Sequence, residues 1–265
     1  MISSFPTRWR WLRHKWNRTR LAARLIGHDL PEEATETPGL IMIQIDGLSR
    51  RQLEAALAAG RMPYLSRLLR RRHFSLGSFY SGVPSTTPAV QGELFYGVKA
   101  AVPSFEFLDG QTGRMFRMYE AESASEIERR LVAEGAEPLL PGAHVYSNIY
   151  RAGAAESHYC SGDLCVEGFK RRLNPLKSLL LAIVYFPTLL RGIGLTLLEV
   201  VIAIGDVIGG GFSFRDLRDE LGFLPARVGI CIAAREAIRF RVLLDIMRGV
   251  PLIHANFLGY DEQAH

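Results

Sequence analysis

The sequence has little cysteine and no apolar run long enough to cross a membrane without a charge. Three cysteines in 265 residues cannot form a disulfide framework, so we expect a reducing compartment or incidental thiols. The basic start lacks an apolar core followed by a small-residue cleavage site, so we expect no cleavable signal peptide and no secreted catalytic domain. With 48% hydrophobic and 22% charged residues, the chain is not disordered and can build one sizeable core.

Acidic residues are absent from Arg8 to Arg24, which contains seven Lys or Arg side chains. Three tryptophans lie among these cations, a mixture suited to the headgroup layer of an anionic membrane, namely Trp9, Trp11 and Trp16. The alternative is a solvated basic tail. We expect no nucleic-acid binding, because the charge is confined to one short segment without a recognised binding module.

A second candidate membrane element is the apolar segment from Leu179 to Gly211. Its charge-free pieces are each shorter than the roughly 20 residues that cross a bilayer. Its three charges, Arg191, Glu199 and Asp206, would share an arc of roughly 80° on a continuous helix with about 100° per residue. This pattern favours a helix lying in an interface, and the alternatives are a protein-buried hairpin and a membrane span.

Alternating strand and helix patterns predict an α/β domain with a mostly parallel sheet and helices on both faces. The apolar run from Gly39 to Ile45 ends at Asp46, as expected of a buried parallel strand. Pro251 to Leu258 is a second such strand. Further expected elements are strands at 73–80 and 143–149, and helices at 50–59, 63–72, 125–134 with a Ser125/Glu128 capping box, 227–248, and from Thr86 or Thr87 to about Tyr96.

These patterns divide the chain into three parts. Residues 1–29 form the basic membrane-surface segment, and the polar, acidic residues 30–38 form a linker. Residues 39–265 form the α/β domain, with the apolar helical insertion at about 176–212.

Three polar groups follow candidate strands or begin a helix, where open α/β sheets place their sites. Asp46 at a strand end suits a hard divalent cation, although a lone carboxylate there is more often a turn residue. Thr87, or Thr86 beside it, lies at a helix N-terminus, which favours a bound phosphate but is also an ordinary position for a cap. Asp261 and His265 are spaced one helical turn apart, so both could bind one zinc ion.

The run IMIQIDGLSRRQLEAALAAGRMPYLSRLLRR, the loop VPSTTPAVQGELFYG and the segment FLGYDEQAH together resemble the type I phosphodiesterase/nucleotide pyrophosphatase proteins of the alkaline phosphatase superfamily. The resemblance implies an alkaline phosphatase-like fold and a site with two divalent metal ions, usually zinc. It implies that Thr87 is the nucleophile and also a metal ligand, with Thr86 as the alternative. It further implies that Asp46 binds the nucleophile-side metal, whereas Asp261 and His265 bind the water-side metal.

We therefore expect a metal-dependent phosphohydrolase acting on a phosphate ester, associated with the cytoplasmic face of a membrane. The family's later Asp-His-Gly element does not occur after His265, so the resemblance implies an N-terminal fragment that lacks about half of the metal ligands and can be inactive by itself. The alternative is a membrane-associated binding protein that has kept the fold and lost the chemistry.

Overall fold

The computed structural model describes residues 18–25, 27, 30, 38–110, 112–160 and 234–258, together with positions 180, 183, 186, 187, 190–198, 201 and 205. The described strands are β1 (Leu40–Ile45), β2 (Glu106–Leu108), β3 (Met115–Arg117), β4 (His144–Tyr146), β5 (Glu156–His158) and β6 (Leu252–Phe257). The helices are α1 (Arg18–Leu25), α2 (Arg50–Ala58), α3 (Pro63–Arg70), α4 (Thr87–Tyr96), α5 (Ala121–Ala133) and α6 (Arg235–Arg248).

The main sheet has four strands in the order β1-β6-β4-β5, and every neighbouring pair is parallel. Strands β1 and β6 pair over six residues, from Leu40 opposite Leu252 to Ile45 opposite Phe257. At the start of this pairing, a Cβ on Gly39 would lie 3.1 Å from the Pro251 carbonyl oxygen, so the close approach favours glycine. The two strands are adjacent and parallel, so both deliver their C-terminal ends to the same edge of the sheet.

Helices pack on both faces of this sheet, because alternate residues of a strand point to opposite sides. On one face, Val145 and Met42 join a core with side chains of α4 and α5, including Phe95 and Ile127. On the other face, Tyr146, Ile253 and Ala255 pack with Ile238 of α6. The domain is therefore α/β with a mostly parallel sheet, as its sequence predicts.

A small antiparallel ribbon, β2 with β3, lies outside the main sheet and was not predicted. Its Phe107 and Phe116 rings stack at 5.5 Å between centroids. Arg130 of α5 lies over the Phe116 ring and forms an ion pair with Asp109 at 3.1 Å, which joins the ribbon to the domain.

Strand β1 is less buried than its apolar sequence predicts. Met42 and Gln44 are partly buried, whereas Ile41, Ile43 and Ile45 are 42%, 65% and 37% exposed. The expectation of a strand buried on both sides is therefore wrong for the described part of the chain. These isoleucines are exposed because β1 is at the end of the strand order, whereas α6 on that face packs against β6.

Two other expected elements are also wrong. Residues 73–80 do not form a strand, and Phe74, Phe79 and Tyr80 are all more than half exposed. The helix expected from Ser125 begins at Ala121, with Glu120 as its N-cap residue. The predicted capping box fails because Ser125 and Glu128 lie inside the helix, where Glu128 instead accepts a hydrogen bond from the Tyr96 hydroxyl.

The two candidate membrane segments are only partly described. Of the segment from Arg8 to Arg24, the structure describes the α1 portion, which contacts α6. Within the apolar segment, residues 190–198 are helical, and exposed apolar side chains include Ile193, Leu197 and Leu198. Among the described residues, no helix is both long enough and apolar enough to span a bilayer.

Candidate functional site

Asp46 immediately follows β1, at the C-terminal edge of the parallel sheet. Its backbone N–H donates to the Phe257 carbonyl oxygen at 3.1 Å, which continues the pairing with β6 by one residue. The next residue, Gly47, has φ of 71°, so the chain turns sharply away and leaves the Asp46 carboxylate at the strand end. This hydrogen bond holds the backbone of Asp46 against the neighbouring strand.

Thr87 lies in the first turn of α4 and contacts Asp46 directly. The Thr87 hydroxyl donates to Asp46 Oδ2 with an Oγ1-to-Oδ2 distance of 2.8 Å, across 41 residues of sequence. Pro88 follows in the first turn, where its missing N–H costs the helix nothing. The helix ends at Gly97, whose φ of 71° is in the left-handed region.

Thr86 and Thr87 differ in their surroundings. Thr86 is the N-cap residue with extended backbone, but its side chain makes no capping hydrogen bond. Its Oγ1 is buried and has no hydrogen-bond partner among the described residues. Of the two hydroxyls, the one bonded to Asp46 belongs to Thr87, the residue for which the family resemblance implies the role of nucleophile.

Asp261 and His265 lie outside the described residues. The strand that precedes them is in place, because the last residue of β6, Phe257, receives the hydrogen bond from Asp46. Within the described part of the chain, no three His, Cys, Asp or Glu side chains are grouped so as to hold a metal. The described part of the candidate site therefore consists of one carboxylate and one hydroxyl.

The Asp46 and Thr87 oxygens suit a hard divalent cation by donor type. Carboxylate and hydroxyl oxygens are hard ligands, and atoms 2.8 Å apart can bind the same ion. The N-terminus of α4 adds the positive end of a helix dipole beside them, where backbone N–H groups favour an anion such as phosphate. This edge can therefore hold a cation, an anion or the two together.

Several buried amide side chains lie behind this pair and were not predicted as site residues. Gln91 is fully buried, and its Nε2 donates to Gln44 Oε1 at 3.3 Å. Its Oε1 accepts from the Ile149 N–H at 2.8 Å. Asn256 Nδ2 donates to the Ser147 carbonyl oxygen at 3.3 Å. The signal available in the sequence was one amide in each apolar strand, Gln44 in β1 and Asn256 in β6.

Asn148 is the least satisfied of these amides. The residue is 1% exposed, and neither Oδ1 nor Nδ2 has a hydrogen-bond partner among the described residues. It follows Ser147, whose φ of 58° is left-handed, directly after the end of β4. A buried amide without partners costs roughly 1–3 kcal/mol, so its presence at the C-terminal edge calls for an explanation.

A second polar cluster lies on the opposite face of the sheet. The buried Asp245 of α6 accepts from the Tyr146 hydroxyl and lies 2.7 Å from His144 Nδ1. Burial and the hydrogen bond to Asp245 raise the pKa of Tyr146, so this phenol stays protonated. These contacts fasten α6 to β4, and their residues are separate from the Asp46 and Thr87 pair.

A cavity of about 380 Å³ is at the β5 edge, lined among others by Glu128, Arg151, His158 and Cys160. Strand β5 is at the far end of the sheet order from β1. The cavity is therefore not part of the Asp46 site.

No family model matches this chain, and neither the curated proteins nor the solved structures contain a match.

Proposed function

We propose that this chain carries the nucleophile side of a metal-dependent phosphohydrolase with an alkaline phosphatase-like fold. Thr87 is the proposed nucleophile, and Asp46 is its partner and a ligand of the nucleophile-side metal. The single observation that carries the proposal is the 2.8 Å hydrogen bond from Thr87 to Asp46 at the C-terminal edge of the parallel sheet. Asp261 and His265 complete the proposal as ligands of a second ion, and zinc fits these donor types.

Each of the two residues has a role that follows from its position. Asp46 accepts the hydrogen bond from the Thr87 hydroxyl. This contact orients Thr87 Oγ1 and raises the electron density on that oxygen. The N-terminus of α4 places the positive end of its dipole where a phosphoryl group would lie against Oγ1. A divalent ion bound here supplies positive charge that lowers the hydroxyl pKa and stabilises the transferring phosphoryl group.

The proposal is tested by substitution in the zinc-loaded full-length protein, with bis(p-nitrophenyl) phosphate and p-nitrophenyl phosphate as substrates. Thr87→Ala should abolish turnover while the protein stays folded, because the loss of one part-buried hydrogen bond costs only about 1–3 kcal/mol. Thr86→Ala is the matched control and should act mildly, since its hydroxyl has no partner among the described residues. If Thr86→Ala abolishes turnover and Thr87→Ala does not, Thr86 is the nucleophile.

The second candidate function is a binding protein with the same fold and no chemistry. Its support is the Asn148 amide, because a buried amide without described partners suits a site that binds a polar ligand without reacting with it. Zinc content and turnover of the same two esters separate the candidates. Metal-free, inactive full-length protein supports the binding protein and contradicts the hydrolase.

We also propose that the protein associates with the cytoplasmic face of a membrane through Arg8 to Arg24 and the apolar segment from Leu179 to Gly211. Two weak anchors, one electrostatic and one apolar, together give stable attachment. High salt should weaken the electrostatic part, whereas detergent should be needed to release the apolar part. If the intact protein stays in solution with anionic vesicles at low salt, the membrane proposal fails.

A further inference from the structure

We propose that Gln91 is a positioning residue that fixes Thr87 against Asp46 by holding helix α4 in register on strand β1. Its catalytic consequence rests on the function proposed above. Gln91 is fully buried and uses both ends of its amide, donating to Gln44 Oε1 and accepting from the Ile149 N–H. It therefore connects α4 at once to β1 and to the chain that follows β4.

The Gln91–Gln44 bridge and the Thr87–Asp46 bridge have matching spacings. Gln91 lies four residues after Thr87, a rise of about 6 Å along a helix. Gln44 lies two residues before Asp46 on the same face of β1, a distance of about 6.6 Å along a strand. Because Gln91 follows Thr87 whereas its partner Gln44 precedes Asp46, α4 and β1 run in opposite directions. The two spacings agree within about 1 Å, so both bridges can form together.

The Gln91–Gln44 bridge limits how far α4 can move relative to β1, and therefore how far Thr87 can move from Asp46. A shift of α4 by one turn would move Thr87 by about 5.4 Å, far beyond hydrogen-bond reach of Asp46. An apolar side chain at position 91 could fill the same space, but packing alone is not directional. It would also leave the Ile149 N–H without its present acceptor. The Gln91 amide therefore sets a specific register of α4 on β1, which an apolar side chain of the same size would not.

The first test is kinetic and uses zinc-loaded full-length protein with bis(p-nitrophenyl) phosphate. Gln91→Met keeps the length of the side chain and removes both hydrogen bonds. We expect kcat to fall roughly 10-fold or more with KM nearly unchanged, because a small misplacement of the nucleophile slows the chemical step. Gln91→Glu can accept from both Ile149 and a rotated Gln44 amide, so it should recover part of the lost kcat.

The matched control is Phe95→Leu, which removes packing one turn further along the same helix. The Phe95 ring contacts the His254 ring edge-on, with 5.1 Å between the ring centroids. This variant should lower the melting temperature but leave kcat close to wild type. If Gln91→Met and Phe95→Leu reduce kcat equally at equal stability, Gln91 is an ordinary core residue and the inference is wrong.

The second test does not depend on activity. Hydrogen exchange of the metal-free protein, followed by mass spectrometry, reports how often the start of α4 opens, beginning with the Val90 N–H that donates to the Thr86 carbonyl oxygen at 3.0 Å. We expect the peptide containing Thr87 to exchange roughly 10-fold faster in Gln91→Met than in Phe95→Leu. Equal exchange in the two variants would overturn the inference. If wild-type protein hydrolyses no ester, the proposed function fails, and this exchange result alone decides whether Gln91 holds the helix in register.

Discussion

Stability should depend on pH through one histidine of the central strand. His254 of β6 is 5% exposed, and burial lowers its pKa from 6.5 to about 4. The unfolded chain takes up a proton here below pH 6.5, whereas the folded chain does so only near pH 4. Stability is therefore lost as pH falls through this window and is independent of this group above it. At 1.4 kcal/mol per pH unit, the loss reaches about 3 kcal/mol.

The measurement is urea unfolding of wild type and His254→Phe at several pH values between about 4.5 and 7.5. The variant keeps a planar ring against Phe95 and cannot titrate, so its stability should fall less toward low pH. The slopes of the free energy of unfolding against pH are compared rather than its absolute values, because the larger phenyl ring can also change packing. Phe95→Leu is the control, which changes the packing of the same ring pair and should keep the wild-type slope. Parallel curves for wild type and His254→Phe would refute the reasoning.

Two further substitutions test the packing behind the candidate site. Gly92→Ala should destabilise the domain by about 1–2 kcal/mol net of its gain in helix propensity, because the new Cβ would lie 2.6 Å from the Ala101 Cβ. Gly77→Ala, where a Cβ meets nothing within 4 Å, should be nearly neutral in the same urea titration. Asn148→Leu should raise stability by about 1 kcal/mol, since it removes a buried amide that has no partner among the described residues. A loss of stability in Asn148→Leu would show that the amide has a structural partner, whereas a gain together with lower turnover would give it a role in the site.

The sequence was informative where local pattern and tertiary environment agree. The apolar run of β1 ends at Asp46, and the Thr-Pro pair starts α4, because strand ends and helix starts leave strong local signals. The contact between Asp46 and Thr87 could be anticipated only from the combination of these two positions with a parallel sheet. Their actual hydrogen bond spans 41 residues and is not readable from either segment alone.

Other features were not predictable because they depend on distant parts of the chain. Phe74, Phe79 and Tyr80 have strand-like character, yet residues 73–80 make no ladder in the described structure. The three-residue strand β5 and the β2–β3 ribbon are too short for periodicity to detect. The role of Gln91 depends on partners at positions 44 and 149, and a lone glutamine in a helix looks like a surface residue.

The most direct measurement of the central claim is the identification of the residue that becomes covalently modified during turnover. Zinc-loaded full-length protein is mixed with excess bis(p-nitrophenyl) phosphate, quenched in acid during the first turnover, digested and sequenced by mass spectrometry. A phosphoester on Thr87, absent from Thr87→Ala and present in Thr86→Ala, is the result we predict. Turnover with the adduct on another residue, or with unmodified Thr87 throughout, would contradict the assignment of Thr87 as nucleophile.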